Sequence, residues 1–383
     1  MKALMVTSVA SMISQFNIPN IKLLIEQGYE VTVATNFENP GNIPIKESTS
    51  LIENLTKMGV KCIDIPFSRS PINKMNLKCY KLLLNLIKNN NYNLIHCQSP
   101  VGGVITRLAA KKAIGKVIYT AHGFHFFKGA PLKNWIIFYP IEKFLSRYTD
   151  VLITINNEDY SIAKKNFYAK NVVKINGIGL AIDKFENIKI DKNLKRKSID
   201  ISLDSFIILS VGEINSNKNH KVIIKAIEKL KNSEIHYVIC GEGQDKEELV
   251  LLSKKLKIEN QIHFLGYRSD IGEICYVADI FAFPSHREGL GMAALEAMAT
   301  GLPIISSNVH GINDYSINGL TGFSHNPDDV DGFAKSIKIL YENTELRKKM
   351  SLYNKDYVKK YSVNSTMKQM KKIYKPIYDN KKF

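Results

Sequence analysis

Residues 279–307 read DIFAFPSHREGLGMAALEAMATGLPIISS, and their punctuation decides the fold. The apolar run 279–283 has the length of a buried strand and is closed by Pro284. Two glycines follow, and then small apolar residues whose composition suits a helix starting near Leu290 or Gly291 and running through Ala299. Gly301 stops that helix, and Pro303 opens the approach to another apolar run, IISS. Strand, helix and strand in this order make a parallel crossover. Strands that are apolar throughout need a helix layer on both faces of their sheet. Two acids frame the unit. Glu288 falls in the loop before the helix and Glu296 projects from its second turn. On one continuous helix they would lie about 80° apart, a poor geometry for sharing a counter-charge.

Working outward, the same alternation fills the chain. Apolar runs at 3–8, 29–35, 61–67, 93–98, 116–121, 150–155 and 171–175 form one series. Those at 206–212, 235–241, 262–266, 280–284 and 302–307 form another, with helical stretches such as 19–27 and 77–89 between runs. At 383 residues the chain exceeds what one hydrophobic core usually serves. The expected architecture is α/β, two Rossmann-like doubly wound domains facing across a cleft. The polar, basic stretch 183–205 marks the break, giving domains 1–186 and 187–361, with a C-terminal helix at about 362–383 returning to the first. Such sheets bind ligands where loops leave the carboxyl ends of their strands.

The formal charge is +17, with 23 Lys+Arg against 12 Asp+Glu in residues 1–186. Such a surface suits an anionic membrane or a phosphorylated substrate, or is simply a solvated lysine-rich face. No helix-turn-helix, zinc-finger or RNA-recognition signature supports nucleic acid. Five cysteines without C-x-x-C spacing argue against a disulfide framework or a zinc site. The N-terminus MKALMVTSVA reads as a first strand, and no apolar run is long enough to span a bilayer. These features fit a cytoplasmic protein, soluble or peripheral on the inner-membrane surface.

The chemistry gathers around the opening segment. Glycines at a helix entry admit close approach of a ligand, and the first amides of a helix have no helical partners. That open N-terminus attracts a diphosphate. Glu296 can accept hydrogen bonds from a ribose diol, while Glu288 can hold sugar hydroxyls. The acids then become separate grips on one sugar nucleotide; the competing reading is an amphipathic core helix with two incidental acids. Asp329-Val330-Asp331 has the form of a metal motif but follows Pro327 at the start of a helical pattern, where acids cap amides. No cluster suggests a metal, and no cofactor is expected.

The stretch FPSHREGLGMAALEAMATGLPIISSNVHGINDYSINGLTGF resembles the signature of the family 4 retaining glycosyltransferases, which have the GT-B fold. SVGEINSNKNHKVIIKAI is similar to the first strand, loop and helix of that family's nucleotide-binding domain. HGFHFFKGAPLKNWIIFYPIEKFLSRYTDVLITIN resembles its bacterial capsule and exopolysaccharide branch. The resemblance implies that Glu288 contacts the donor sugar, that Glu296 binds the ribose and that the backbone of Gly289, Leu290 and Gly291 meets sugar and phosphates. It further implies that Lys218 holds the diphosphate and that His122, beside Gly123 at a strand's end, lies near the reacting carbon. His122 and Glu288 are therefore the expected catalytic residues. Many relatives carry an arginine where this chain has Glu213, which shifts the cationic role to Lys218, the helix start and Arg268. The first loop lacks the relatives' Gly-Gly pair, and Ser11, Ser14 and Phe16 are its candidates for the acceptor side. Tyr267 joins Arg268 as a candidate for the base and phosphate region.

The resemblance implies a metal-independent transfer of a hexose or N-acetylhexosamine from a UDP-sugar to a lipid-linked saccharide of undecaprenyl-diphosphate type. Two alternatives share the fold, a UDP-sugar 2-epimerase and a non-catalytic sugar-nucleotide-binding module. The apolar and basic segments KCYKLLLNLIK and KGAPLKNWIIFYP are candidates for membrane contact, or else ordinary core helices with lysine rims.

Overall fold

The computed structural model describes residues 1–68, 70, 73–186 and 188–375. The chain divides into two units, Met1–Gly179 together with the helix Val363–Tyr374, and Leu180–Ser362. The expected helix at 362–383 extends past residue 375, and that part lies outside the described residues.

The first unit is built on a seven-stranded sheet ordered β3-β2-β1-β4-β5-β6-β7. Its strands are β1 (Lys2–Val6), β2 (Glu30–Thr35), β3 (Lys61–Asp64), β4 (Leu94–Gln98), β5 (Lys116–Ala121), β6 (Val151–Thr154) and β7 (Asn171–Lys174). Every neighbouring pair is parallel, with β1, an interior strand, pairing Ala3 to both Val31 and Leu94. The chain winds outward from β1 to β3 and then returns to β4, so the order reverses between β1 and β4. Leu4 and Val6 on one face of β1 and Ala3 and Met5 on the other are all fully buried, which is why this strand reads as an unbroken apolar run. The helix Val363–Tyr374 closes this unit against the helix Ile18–Glu26. Tyr374 is fully buried there, and its Oη lies 2.7 Å from His96 Nδ1.

The second unit has a six-stranded parallel sheet ordered β10-β9-β8-β11-β12-β13. The strands are β8 (Phe206–Val211), β9 (Ile235–Cys240), β10 (Ile262–Gly266), β11 (Ile280–Phe283), β12 (Ile304–Ser307) and β13 (Gly322–His325). Here the order reverses between β8 and β11. Strand β13 has no counterpart among the expected strands, since Phe323 is the one large apolar side chain in its sequence GFSH.

Two further expectations change. The stretch 7–17, read as a loop, is folded as the helix Ala10–Phe16, joined at Asn17 to the helix Ile18–Glu26. The basic stretch 183–205 is not a free connection. Its helix Lys192–Ser198 is capped by Asp191, whose side chain accepts from the amides of Asn193 and Leu194. Lys195 pairs with Asp270 and Glu273, while Arg196 donates to the carbonyls of Val277 and Ser205. The charges that made this segment look like a linker fasten it to the second unit, and the break falls at 179/180 instead.

Candidate active site

The loops leaving β8 and β11 flank the point where the second sheet reverses its order, and they are tied to each other. The amide of His286 donates to the carbonyl of Asn217 at 2.8 Å, and Asn217 Nδ2 donates to the carbonyl of Arg287 at 3.1 Å. Between these ties Lys218 Nζ lies 2.5 Å from Glu288 Oε1, each side chain mostly shielded from water. The ammonium also sits 4.9 Å from the ring centroid of Phe283, the last residue of β11. Lys218 and Glu288 are 70 positions apart in sequence, and the sheet order alone brings them together.

The helix that follows is Met292–Thr300, ended by Gly301 in the left-handed region at φ 94°. Its N-terminal cap is Gly291, at φ 86°, with no capping side chain. A Cβ there would stand 2.5 Å from the Phe283 ring, so only glycine permits both the turn and its packing on β11. The loop after β12 braces the same turn. The amide of Gly311 donates to the carbonyl of Glu288 at 3.1 Å, and a Cβ on Gly311 would strike the Gly289 carbonyl oxygen at 2.0 Å. The chain of Gly289, buried Leu290 and Gly291 is thus held rigidly, presenting an uncapped helix start whose first amides lack helical acceptors.

Glu296 lies one turn inside that helix. Among the described residues its carboxylate has no hydrogen-bond or ion-pair partner. Burial pushes it up to about 7, only partly countered by the Lys184 ammonium. An acid this shielded and unpaired costs free energy in the empty protein, and hydroxyl donors from a ligand would relieve it.

Arg268 stands apart from this group. Its guanidinium is forked onto Asp270, with Nε 2.8 Å from Oδ1 and Nη2 2.5 Å from Oδ2, and Asp270 is shared with Lys195. Its loop follows β10, and strand β9 separates β10 from β8. Tyr267 is 84% exposed beside it. Glu213 is exposed at the end of β8. Asp329 caps the helix Val330–Glu342 by accepting from the Gly332 amide at 2.9 Å. Among the described residues no group of three His, Cys, Asp or Glu side chains is placed to hold a metal ion.

In the first unit His122 leaves the end of β5, partly buried, and its Nε2 lies 2.8 Å from Gln98 Oε1 at the end of β4. Burial pushes the imidazole down to about 4, so it is neutral at physiological pH. Gln98 Nε2 is 2.5 Å from Asn17 Oδ1, and Asn17 Nδ2 donates to the Met12 carbonyl at 2.7 Å. Gln98 and Asn17 were not among the residues expected from sequence. A polar residue closing the strand LIHCQ is a signal for Gln98, and Asn17 has none of that kind. At the reversal between β1 and β4, Ser8 Oγ and Ser99 Oγ lie 2.7 Å apart, and the Gly102 amide donates to Ser8. Ser11, Ser14 and Phe16 share one helix but do not converge. Ser11 is buried, Ser14 donates to Glu47 at 3.0 Å on the surface, and Phe16 lines a small internal space with Asn20 and Thr120. The ring of His125 lies against Phe138, centroids 4.7 Å apart.

Comparison with known proteins bears on the family and the fold. The profile of the glycosyl transferases group 1 matches residues 191–357, and that of the glycosyl transferase 4-like domain matches residues 6–157. EpsD of Bacillus subtilis (strain 168), named as a glycosyltransferase, is 37% identical over 371 residues, covering 95% of this chain and 93% of that protein. An Escherichia coli enzyme, UDP-Gal:alpha-D-GlcNAc-diphosphoundecaprenol alpha-1,3-galactosyltransferase, is 28% identical over 89% of this chain and 90% of its own length. Among solved structures, Anabaena HepE in complex with UDP superposes with a TM-score of 0.77 at 17% identity, covering 97% of this chain and 99% of that one. This chain is a glycosyltransferase of GT-B fold and belongs to family 4.

Proposed function

We propose that the chain moves a hexose or N-acetylhexosamine from a UDP-sugar to a lipid-linked saccharide of undecaprenyl-diphosphate type, in capsule, exopolysaccharide or surface glycan synthesis. The observation that carries this reading is the group at the β8/β11 reversal: a lysine and an acid in contact, an uncapped helix start and a shielded, unpaired Glu296. The donor and acceptor classes are supported by the E. coli relative, whose name pairs UDP-Gal with a diphosphoundecaprenol-linked acceptor, and by the UDP held by the Anabaena neighbour.

In this reading the second unit binds the donor and the first binds the acceptor. The diphosphate meets the amides from Gly289 to the first turn of the helix Met292–Thr300, where the dipole favours negative charge. Lys218 turns from Glu288 to a phosphate oxygen, and Glu288 is released to accept from sugar hydroxyls. Glu296 accepts from the ribose diol. His122, neutral and able to accept, is assigned to a sugar hydroxyl. Arg268 is forked onto Asp270 in the loop after β10, two strands from β8, so the cationic part of leaving-group stabilisation is assigned to Lys218.

The bond from the anomeric carbon to the UDP oxygen breaks with its electron pair leaving on phosphate, where preorganised donors stabilise the charge. The acceptor hydroxyl adds to the oxocarbenium-like carbon on the face the leaving group vacates. Its proton passes to the departing phosphate, and configuration is retained. No step draws on a metal ion. No helix among the described residues is long and apolar enough to cross a membrane. The lipid-linked acceptor is met at the cytoplasmic face of the membrane, where the basic first half of the chain suits anionic lipid.

The test is UDP release from a panel of UDP-sugars, with and without lipid-diphosphate-linked saccharide, in EDTA. Acceptor-dependent release is expected. A new UDP-sugar without acceptor would identify an epimerase, binding without turnover a sugar-nucleotide-binding module, and loss of activity in EDTA a metal requirement.

A further inference from the structure

The helix Leu132–Leu145, LKNWIIFYPIEKFL, is apolar around almost its whole circumference, yet only one side is covered. Trp135, Phe138 and Tyr139 pack on the first unit's core, and Leu145 is buried. On the other side Leu132 is 74% exposed, Ile136 65%, Ile137 51% and Phe144 48%, with Ile141 beside them. At about 100° per residue these five span roughly half the helix. So large a contiguous apolar face exceeds the single exposed side chains that soluble surfaces ordinarily carry.

The orientation is enforced. Glu142, on the inward side, lies 2.9 Å from the fully buried Arg107, whose guanidinium sits 3.8 Å over the ring of Tyr119. Rolling the helix to hide its isoleucines would pull this carboxylate away from a cation that water cannot reach. A buried ion pair is a weak source of stability but a strong determinant of arrangement, because breaking it strands a charge. The exposed face is therefore a held feature.

We propose that this face docks the first unit onto an anionic lipid bilayer, a proposal that rests on the lipid-linked acceptor reading and names the surface that meets the lipid. Charge selects the occupant. Lys133 stands within the apolar face, and Lys143 and Arg147 border it, their charges 5.5 and 4.7 Å from the half-exposed ring of Tyr168. The helix has one acid, Glu142, and it points inward. Isoleucine, leucine and phenylalanine among lysines, with an aromatic hydroxyl at the edge, match the acyl and headgroup layers of a membrane interface. A second copy of the chain pairing through the same face would set these cations against each other with no outward acid on the helix to meet them.

The test uses full-length protein and sedimentation with vesicles of phosphatidylcholine alone or with one third phosphatidylglycerol. The parent and the double variant Ile136→Glu, Ile137→Glu are compared, with UDP binding and thermal midpoint measured on both. Wild-type protein should partition onto the anionic vesicles, and the variant should lose at least about tenfold of that partition while UDP binding and midpoint hold. Equal partition of both proteins, or none by the parent, would overturn the proposal. So would a parent dimer that the variant dissociates without any vesicle binding. Transfer to a short-chain, water-soluble lipid-diphosphate acceptor is measured alongside. Its absence would count against the proposed function while leaving the vesicle result to stand or fall alone.

Discussion

The imidazole of His122 and the amide of Gln98 form one link of a directed chain. Asn17 Nδ2 donates to the Met12 carbonyl, so Asn17 Oδ1 faces Gln98, whose Nε2 donates to it. Gln98 Oε1 is left to accept, 2.8 Å from His122 Nε2, which must therefore carry the proton. His122 Nδ1 is then a bare acceptor, suited to a sugar hydroxyl. Gln98→Leu should lower turnover about tenfold, equivalent to about 1.4 kcal/mol of transition-state stabilisation, with UDP affinity nearly unchanged. Nitrogen-15 spectra of the imidazole should report the Nε2–H tautomer in the parent and a mixture in the variant. A Gln98→Leu protein with parental turnover and an unaltered tautomer would end this assignment.

Lys218 and Glu288 neutralise each other in the empty site, and the proposed donor separates them. Lys218→Met should weaken UDP-sugar binding by about ten- to a hundredfold, the loss of one charge-assisted contact. Glu288→Gln should leave UDP affinity close to parental and reduce turnover. Calorimetric titration with UDP and initial rates with UDP-sugar separate the two effects, and matching losses in both variants would contradict the division of roles.

Glu296 ties binding to pH. Its ionised form is the better acceptor for a ribose diol, and in the free protein that form dominates only above about 7. UDP-sugar affinity should fall about five- to tenfold between pH 8 and pH 6, whereas Glu296→Gln should be weaker and flat over the same range. His122, pushed down to about 4, stays neutral throughout that window. A parental profile as flat as the variant's would show that Glu296 does not meet the ribose.

The same carboxyl acts on stability with a sign opposite to that of the buried histidines. Burial lowers His96 to about 3 and His220 to about 4, so below 6.5 the unfolded chain takes up protons that the native state refuses. Their contribution is complete above pH 6.5 and is lost as pH falls toward 4. Glu296 is raised, so the native state holds a proton between about 4.5 and 7 that the unfolded chain releases. Its contribution is present below 4.5 and is lost as pH rises through 7. Urea unfolding of Glu296→Gln from pH 5 to 6.5 should therefore show a dependence on pH steeper than the parent's by about 1.4 kcal/mol per unit. Parallel dependences would mean that the carboxyl titrates normally.

Much of this arrangement is legible in the sequence because it is written in short-range terms. The apolar runs that become β8, β9, β11 and β12 are bounded by Gly and Pro, and Gly301 ends its helix in the left-handed conformation its position suggests. What was hidden depends on distant partners. Lys195 looks like a solvated linker charge until Asp270, 75 positions away, folds beside it. Gln98 gains a role only when β5 pairs with β4 and sets Thr120 opposite it, bringing His122 within reach. The helix Ala10–Phe16 has no capping side chain and only seven residues, too few for periodicity to stand out. For the helix Leu132–Leu145 the sequence leaves membrane contact and core packing both open, since composition cannot tell which apolar side is covered.

The ion pair that orients that helix offers the most direct check on its placement. Arg107 is fully buried and Glu142 nearly so, and each is the other's main electrostatic partner. Arg107→Leu alone strands the carboxylate and Glu142→Leu alone strands the guanidinium, so either should cost about 3–5 kcal/mol. The double variant leaves no charge unpaired and should recover most of that loss. It should also free the helix to turn its isoleucines inward, reducing partition onto anionic vesicles while stability returns. Denaturant unfolding of the four proteins in a double-mutant cycle, with vesicle sedimentation on each, measures both quantities. A double variant that regains stability and still binds vesicles like the parent would show that packing of Trp135, Phe138 and Tyr139 orients the helix without the pair.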